Sequence, residues 1–126
     1  MTLQVLAIDD SRTMRNLLHA TLGAAGFRVD LAEDGEDGLR RFDGSDPDVV
    51  ITDINMPRLD GFGFIEAARA RQRDRVVPIL VLTTESAGDL KARARSAGAS
   101  GWIVKPFDEE KLLWAIRRVS GQEDVQ

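Results

Sequence analysis

Five times along the chain, a short run of β-branched and aliphatic residues gives way to a segment whose apolar residues recur at helical spacing. That alternation constrains the fold more than any other feature. The strand candidates are 3–8, 28–31, 48–53, 78–83 and 101–104. Val49-Val50-Ile51 and Ile79-Leu80-Val81-Leu82 contain no polar alternation, so they suit a sheet covered on both faces, which is the habit of parallel sheets. Between them, 12–25 places Met14, Leu17, Leu18, Thr21, Leu22 and Ala25 on one helix face. Ser11 stands where a cap is needed and Gly26 where the helix should stop. Segment 35–42 is a short, weak helix interrupted by Gly38, and Gly44-Ser45-Asp46-Pro47 is punctuation. A helix over 62–73 buries Ile65 and Ala68. Another over 87–97 has a thin apolar face of Leu90, Ala94 and Ala97. The last, capped by Asp108, turns Leu112, Leu113, Ile116 and Val119 inward and packs Trp114. Strand–helix alternation with right-handed crossovers gives an α/β fold, an open doubly wound five-stranded parallel sheet with five helices. It occupies 1–121 as one domain, followed by a polar tail over 122–126.

Charge and composition remove whole classes of function. There are 17 basic and 21 acidic residues, a formal net charge of −4, so no basic excess exists to hold a nucleic-acid backbone. With no cysteine, thiolate metal sites, disulfides and cysteine nucleophiles are ruled out. No apolar run approaches the length of a membrane span, and the N-terminus lacks the pattern of a secretory signal. The expectation is a cytoplasmic monomer without nucleic-acid or membrane partners.

In a doubly wound sheet, ligands sit beyond the carboxyl ends of the strands, where the strand order reverses. Asp9 and Asp10 follow the first strand, Asp53 ends the third, Thr83 and Thr84 end the fourth, and Lys105-Pro106 follows the fifth. Converging carboxylates repel, by about 3 kcal/mol per pair at ~5 Å and an effective dielectric near 20. A hard divalent cation with oxygen ligands would offset that repulsion. The single histidine, His19, falls on a helix surface, and zinc or copper is disfavoured. Lys105 is one cation, suited to a phosphoryl oxygen; Thr83 offers a hydroxyl to another. A carboxylate beside a divalent metal and a lysine reads as an aspartyl-phosphate site.

Taken in order, Asp9-Asp10, Asp53 with Asn55-Met56-Pro57 and Asp60-Gly61, Thr83-Thr84-Glu85, Gly98-Ala99-Ser100-Gly101 and Lys105-Pro106-Phe107 resemble the motifs of two-component response-regulator receiver domains, over about residues 3–120. The resemblance implies a flavodoxin-like strand order, 2-1-3-4-5. It makes Asp53 the acceptor of a phosphoryl group from a sensor histidine kinase. It makes Asp9, Asp10, Asp53 and the Asn55 backbone carbonyl the Mg2+ site. Thr83 and Lys105 become phosphoryl contacts, Thr83 and Trp102 the switch, and Lys105–Pro106 a cis peptide. Asp10-Ser11-Arg12-Thr13-Met14-Arg15, with Asn55 and Glu85 flanking the site to tune dephosphorylation, is similar to stand-alone chemotaxis regulators. Because the sequence stops soon after the last helix, output is expected by docking, through a face bearing Lys91, Arg95, Trp102 and Lys111, onto a flagellar motor switch protein or another docking protein. Such a protein catalyses only its own phosphorylation and slow dephosphorylation.

Other readings compete. A phosphorelay intermediate or phosphate sink would carry the same site, and a constitutive binding scaffold would not use it. A dehalogenase-like phosphatase needs an acid two residues after its nucleophile, where Ser11 and Arg12 stand instead. A flavodoxin-like cofactor binder needs a Ser/Thr- and Gly-rich phosphate loop where Asp9-Asp10-Ser11-Arg12 lies. Arg69, Arg71, Arg73 and Arg75 are read as complementing a helix C-terminus, Glu33-Asp34-Gly35 as a loop capping the second helix, and the thin face of the fourth helix as low local stability suited to movement.

Overall fold

The structure is a computed structural model that describes residues 2–71 and 74–121. Strands β1 (Gln4–Ile8), β2 (Arg28–Ala32), β3 (Val49–Thr52), β4 (Ile79–Thr83) and β5 (Gly101–Val104) alternate with helices α1 (Arg12–Ala24), α2 (Gly35–Ser45), α3 (Gly61–Ala70), α4 (Gly88–Ala97) and α5 (Glu109–Val119). All strand pairs are parallel, in the order β2-β1-β3-β4-β5, as the resemblance implied.

Period-2 side-chain alternation divides the core between the two faces of the sheet. Leu6, Ile8, Val50, Ile79 and Val81 join Phe42, Phe64, Ile65, Ala68 and Ala94 from α2, α3 and α4. Val5, Ala7, Val49, Ile51, Leu80 and Leu82 join Leu18, Leu22, Leu112 and Ile116 from α1 and α5. The central strands β3 and β4 are wholly buried. The edge strands β2 and β5 are only half covered, so coverage of both faces holds for the centre of the sheet and not for its rims.

The caps follow the sequence. Ser11, Asp34, Asp60 and Asp108 each accept a backbone N–H from the first turn of the helix they start. Gly26 takes φ 93° just beyond α1. Three expectations need correction. Helix α2 runs through Gly44 to Ser45, because Ser45 Oγ donates to the Arg41 carbonyl and Asp46, at φ 48°, makes the turn one residue later. Helix α3 stops at Ala70, where Arg71 turns extended at ψ 131°; the end expected at Arg73 falls outside the described residues. Leu17 and Trp114 are 47% and 59% exposed. Each helix packs on one sheet face with a narrow stripe, already filled by Leu18 and Leu22 in α1 and by Leu112 and Ile116 in α5.

Gly61 opens α3 in direct contact with the end of β3, and a Cβ there would strike the Asp53 carbonyl oxygen and the Ile54 Cα. Both obstacles include backbone, which cannot rotate away. Gly61→Ala is expected to lower stability by about 1–3 kcal/mol, the usual cost of overpacking, measured by urea denaturation.

Candidate functional site: a lysine-bridged acidic pocket

The neighbours of β1 are β2 on one side and β3 on the other, so the chain order reverses there. Asp9 leaves β1 and Asp53 leaves β3 at this point. The Asp53 N–H donates to the Ile8 carbonyl at 3.0 Å, which sets the two carboxylates side by side. Oxygens of Asp9, Asp10 and Asp53 all lie within 4.8 Å of one another. The third acid costs least to place: Asp10 is exposed, whereas Asp9 and Asp53 are buried.

Lys105 arrives from the far edge of the sheet. Its N–H donates to the Thr83 carbonyl at 2.7 Å, continuing the β4–β5 ladder. Its Nζ then donates to Asp9 Oδ2 at 2.7 Å and to Asp53 Oδ2 at 2.9 Å. The three side chains are between 2% and 11% exposed, so this is a buried charge cluster and not a surface ion pair. The remaining carboxylate oxygens are also engaged: the Ser11 N–H donates to Asp9 Oδ1 and the Ile54 N–H to Asp53 Oδ1. Arg15 adds a bond from its guanidinium to the Asp9 carbonyl at 2.8 Å. The Lys105–Pro106 peptide is cis.

These contacts set two proton affinities. Burial pushes the Asp9 carboxyl above the usual carboxylate range, against the pull of the Lys105 ammonium and the Ser11 N–H, with Asp53 adding repulsion. Burial acts to lower Lys105, but the hydrogen bonds and charges of Asp9 and Asp53 outweigh it and the pKa is raised. One ammonium shared by two carboxylates remains charged, while the carboxylate buried deepest still lacks compensation. With all groups ionised, three carboxylates and one lysine leave a formal charge of −2. The donor set is all hard oxygen, as Mg2+ requires, and its charge matches one divalent cation. The acidic triad is consistent with the Mg2+ site seen in receiver domains.

The other residues singled out in the sequence lie around this cluster in different ways. Thr83 is fully buried, and its Oγ1 accepts from the Glu85 N–H at 3.4 Å. Asn55 Nδ2 reaches Glu85 Oε1 at 3.4 Å, so the two flanking residues face each other across the mouth. Trp102 is half-buried on β5, packed against the α2–α3–α4 side of the core, and its Nε1 donates to the Glu85 carbonyl at 2.9 Å. Lys91, Arg95 and Trp102 line one small cavity between α4 and β5. Trp102, Lys111 and Trp114 line a second, larger groove along β5 and α5.

The arginines after α3 do more than complement a helix end. Arg71 does bond the Ala67 carbonyl, but it also pairs with Asp43, and Arg75 pairs with Asp48. Arg69 donates to the carbonyls of Gly98 and Val77, clamping the C-terminal end of α4 to the start of β4. Arg73 lies outside the described residues. The Arg69 clamp and an ion pair between Arg58 and Asp34 are among the contacts that were not foreseen. Neither carries a local sequence signal, since the partners are 29 and 24 residues apart.

A parallel 2-1-3-4-5 sheet with a lysine-bridged acidic pocket at its switch point defines the receiver class of signalling domains. The family model for the response regulator receiver domain matches residues 5–117, and the chain belongs to that family. A probable chemotaxis protein CheY of Rhizobium etli is 37% identical over 94% of this chain and 93% of its own length. A probable transcriptional regulator, ycf27 of Guillardia theta, is 41% identical, over 92% of this chain and 44% of its own. Several other curated relatives, response regulators named MprA, are likewise spanned over only about half their length, at 50%. Among solved structures, chemotaxis protein CheY4 of Vibrio cholerae superposes with a TM-score of 0.90 at 41% identity, covering 94% of this chain and 99% of that one. The receiver domain of the sensor histidine kinase PA1611 from Pseudomonas aeruginosa, solved with a magnesium ion coordinated in its active-site cleft, superposes with a TM-score of 0.88 at 27% identity, covering 96% of this chain and 99% of that one. Membership places the chain among the receiver domains of two-component signalling proteins. Among the described residues, no helix is long and apolar enough to cross a membrane.

Because the folded-state pKa of Asp9 is raised above its ordinary value of 3.8, ionising Asp9 costs stability at every pH above that value, and the cost is absent below it. Asn cannot ionise. Asp9→Asn in metal-free buffer is therefore expected to stabilise the fold at pH 7 by about 0.5–2 kcal/mol, the common yield of relieving such a strain. Thermal unfolding followed down to pH 3 should show that gain disappearing.

Proposed function

We propose that the chain is a phosphorylation-controlled binding switch of the chemotaxis-regulator type, occupying 1–121 and working in the cytoplasm as a monomer. The observation that carries it is the buried Asp9–Lys105–Asp53 bridge with Asp10 at its mouth. Asp9, Asp10 and Asp53, with the Asn55 backbone carbonyl, would hold Mg2+. When bound, the ion supplies Lewis-acid screening of the carboxylates and the incoming phosphoryl oxygens. The Asp53 carboxylate attacks the phosphorus of a kinase phosphohistidine. The new O–P bond forms as the P–N bond breaks, and the imidazole keeps the electron pair. Lys105, 2.9 Å from Asp53 Oδ2, takes one phosphoryl oxygen, and the buried Thr83 hydroxyl takes another. Asn55 and Glu85, facing each other at the mouth, control access of hydrolytic water.

Output runs through the loop after Thr83. The Trp102 indole is bonded to that loop at Glu85, which supports Thr83 and Trp102 acting together. Helix α4 follows directly, with Ala94 its one buried residue and no side chain capping its start at Ala87. A segment with so few buried contacts is inexpensive to shift. The docking face bears Lys91, Arg95, Trp102 and Lys111, and the groove beside it, of about 790 Å3, supports a partner there. Resemblance to the Rhizobium and Vibrio chemotaxis proteins favours a flagellar motor switch protein as that partner.

Incubation with Mg2+ and a small acyl phosphate, read by intact mass, is expected to add one phosphoryl group to the wild type. Asp53→Asn or a chelator should abolish the gain, and a wild type that gains nothing overturns the proposal. Hydrogen exchange with and without a phosphoryl mimic should change protection in α4 at least about fivefold, the lower end of typical coupling between sites. Equal protection in both states would remove α4 from the mechanism.

A further inference from the structure

Arg58 is the feature of the site region that the mechanism above leaves unused. It lies on the β3–α3 loop, five residues beyond Asp53, at φ 68°. Left-handed backbone is unfavourable for a residue with a Cβ and persists when surrounding contacts hold it. Two contacts hold it here: the Leu59 N–H donates to the Pro57 carbonyl at 2.7 Å, closing a tight turn around Arg58, and Arg58 Nε donates to Asp34 Oδ2 at 2.6 Å. Asp34 is not an ordinary surface acid. Its side chain is 4% exposed, and its other oxygen, Oδ1, accepts the Asp37 N–H to cap α2. Both oxygens are thus committed, and the carboxyl is held below the usual range: burial raises it, but the Asp37 N–H and Arg58 together prevail.

The backbone repeats the tie. The Gly35 N–H donates to the Leu59 carbonyl at 3.0 Å, and a Cβ on Gly35 would strike that same carbonyl. The far end of the loop is closed by the Gly61 N–H on the Ile54 carbonyl at 2.8 Å. The segment carrying Asn55 is therefore fixed at its base by Gly61 and at its crest by Asp34 and Gly35. Asn55 itself is exposed, and its side chain has one long contact, to Glu85.

We infer that the Arg58–Asp34 pair is a latch that sets the height of the β3–α3 loop, so that Arg58 acts as a positioning residue for the Asn55 backbone carbonyl in divalent-cation binding. The inference rests on the assignment of that carbonyl to the Mg2+ site. Neither Arg58 nor Asp34 touches the acidic triad, so any effect on the ion must come through the loop or through charge alone. Those two routes differ in sign. By charge alone, removing the Arg58 cation tightens Mg2+ binding and removing the Asp34 anion weakens it. By the latch, both changes weaken it.

The test is calorimetric titration of Mg2+ into wild type, Arg58→Gly, Asp34→Asn and the double variant. Glycine relieves the left-handed backbone, so Arg58→Gly stays folded; asparagine still caps α2. The expected result is a Kd about three- to tenfold weaker in each single variant, somewhat below the ~10–100-fold loss on removing a direct outer-shell partner. The double variant should be no weaker than the worse single one, since one latch is broken in each. Unchanged or tighter binding by Arg58→Gly, with wild type binding normally, overturns the latch and leaves the phosphoacceptor site standing. A wild type that binds no Mg2+ overturns both.

Discussion

Three carboxylates held within 4.8 Å of one another at one edge of a sheet, with a single ammonium between two of them, are the constraint on which the rest of the structure depends. In water such a group would disperse. Here Asp9 and Asp53 cannot separate, because each is the residue that leaves one of two adjacent parallel strands, and the strands are locked by buried aliphatic side chains on both faces. The hydrophobic core thus supplies the work that holds like charges together. Burial, more than repulsion from Asp53, keeps the affinity of Asp9 for its proton raised against the pull of Lys105. The residual negative charge is what a divalent cation, and then a phosphoryl group, would use.

Several elements are joined directly to that edge. Lys105 is continuous with β5, Thr83 with β4, and the loop after Thr83 with α4. The two ends of α4 differ. Its C-terminal turn is clamped by Arg69 through the Gly98 carbonyl, while its first turn begins at Ala87 without a side-chain cap. Trp102 bridges the same loop to the sheet edge through Glu85. Contacts are therefore dense where the charges meet and sparse at the start of α4, a distribution that supports the proposed relay from site to surface.

Most of the fold was legible from residue order. Strand and helix identities, the caps at Ser11, Asp34 and Asp108 and the continuously apolar β3 and β4 followed from periodicity and cap chemistry, while the cap at Asp60 was not read, and the ends of most elements fell within one or two residues. The two misplaced side chains share one cause. Whether Leu17 or Trp114 faces inward depends on how wide a strip of the sheet each helix covers, and a helical stripe in a sequence does not state that width. The length of α2 depended on Ser45 bonding back to Arg41 and on Asp46 accepting the left-handed turn. Of the site, Asp9, Asp10, Asp53, Thr83 and Lys105 were nameable because each follows a strand.

By itself, the sequence determined which chemistry was possible. Carboxylates, a lysine and a hydroxyl stand at strand ends, in a chain without cysteine and with one histidine placed elsewhere, which points to hard-cation and phosphoryl chemistry. Tertiary structure alone decided the geometry that makes the set a site: Lys105 bridging residues 96 and 52 positions away, Trp102 reaching back 17 residues to Glu85, Arg58 meeting Asp34, and Arg69 holding Gly98. Local propensity acts over a turn or a strand. These contacts join segments that only the sheet's strand order and crossovers bring together, and their directions are set by side-chain packing that no linear spacing encodes.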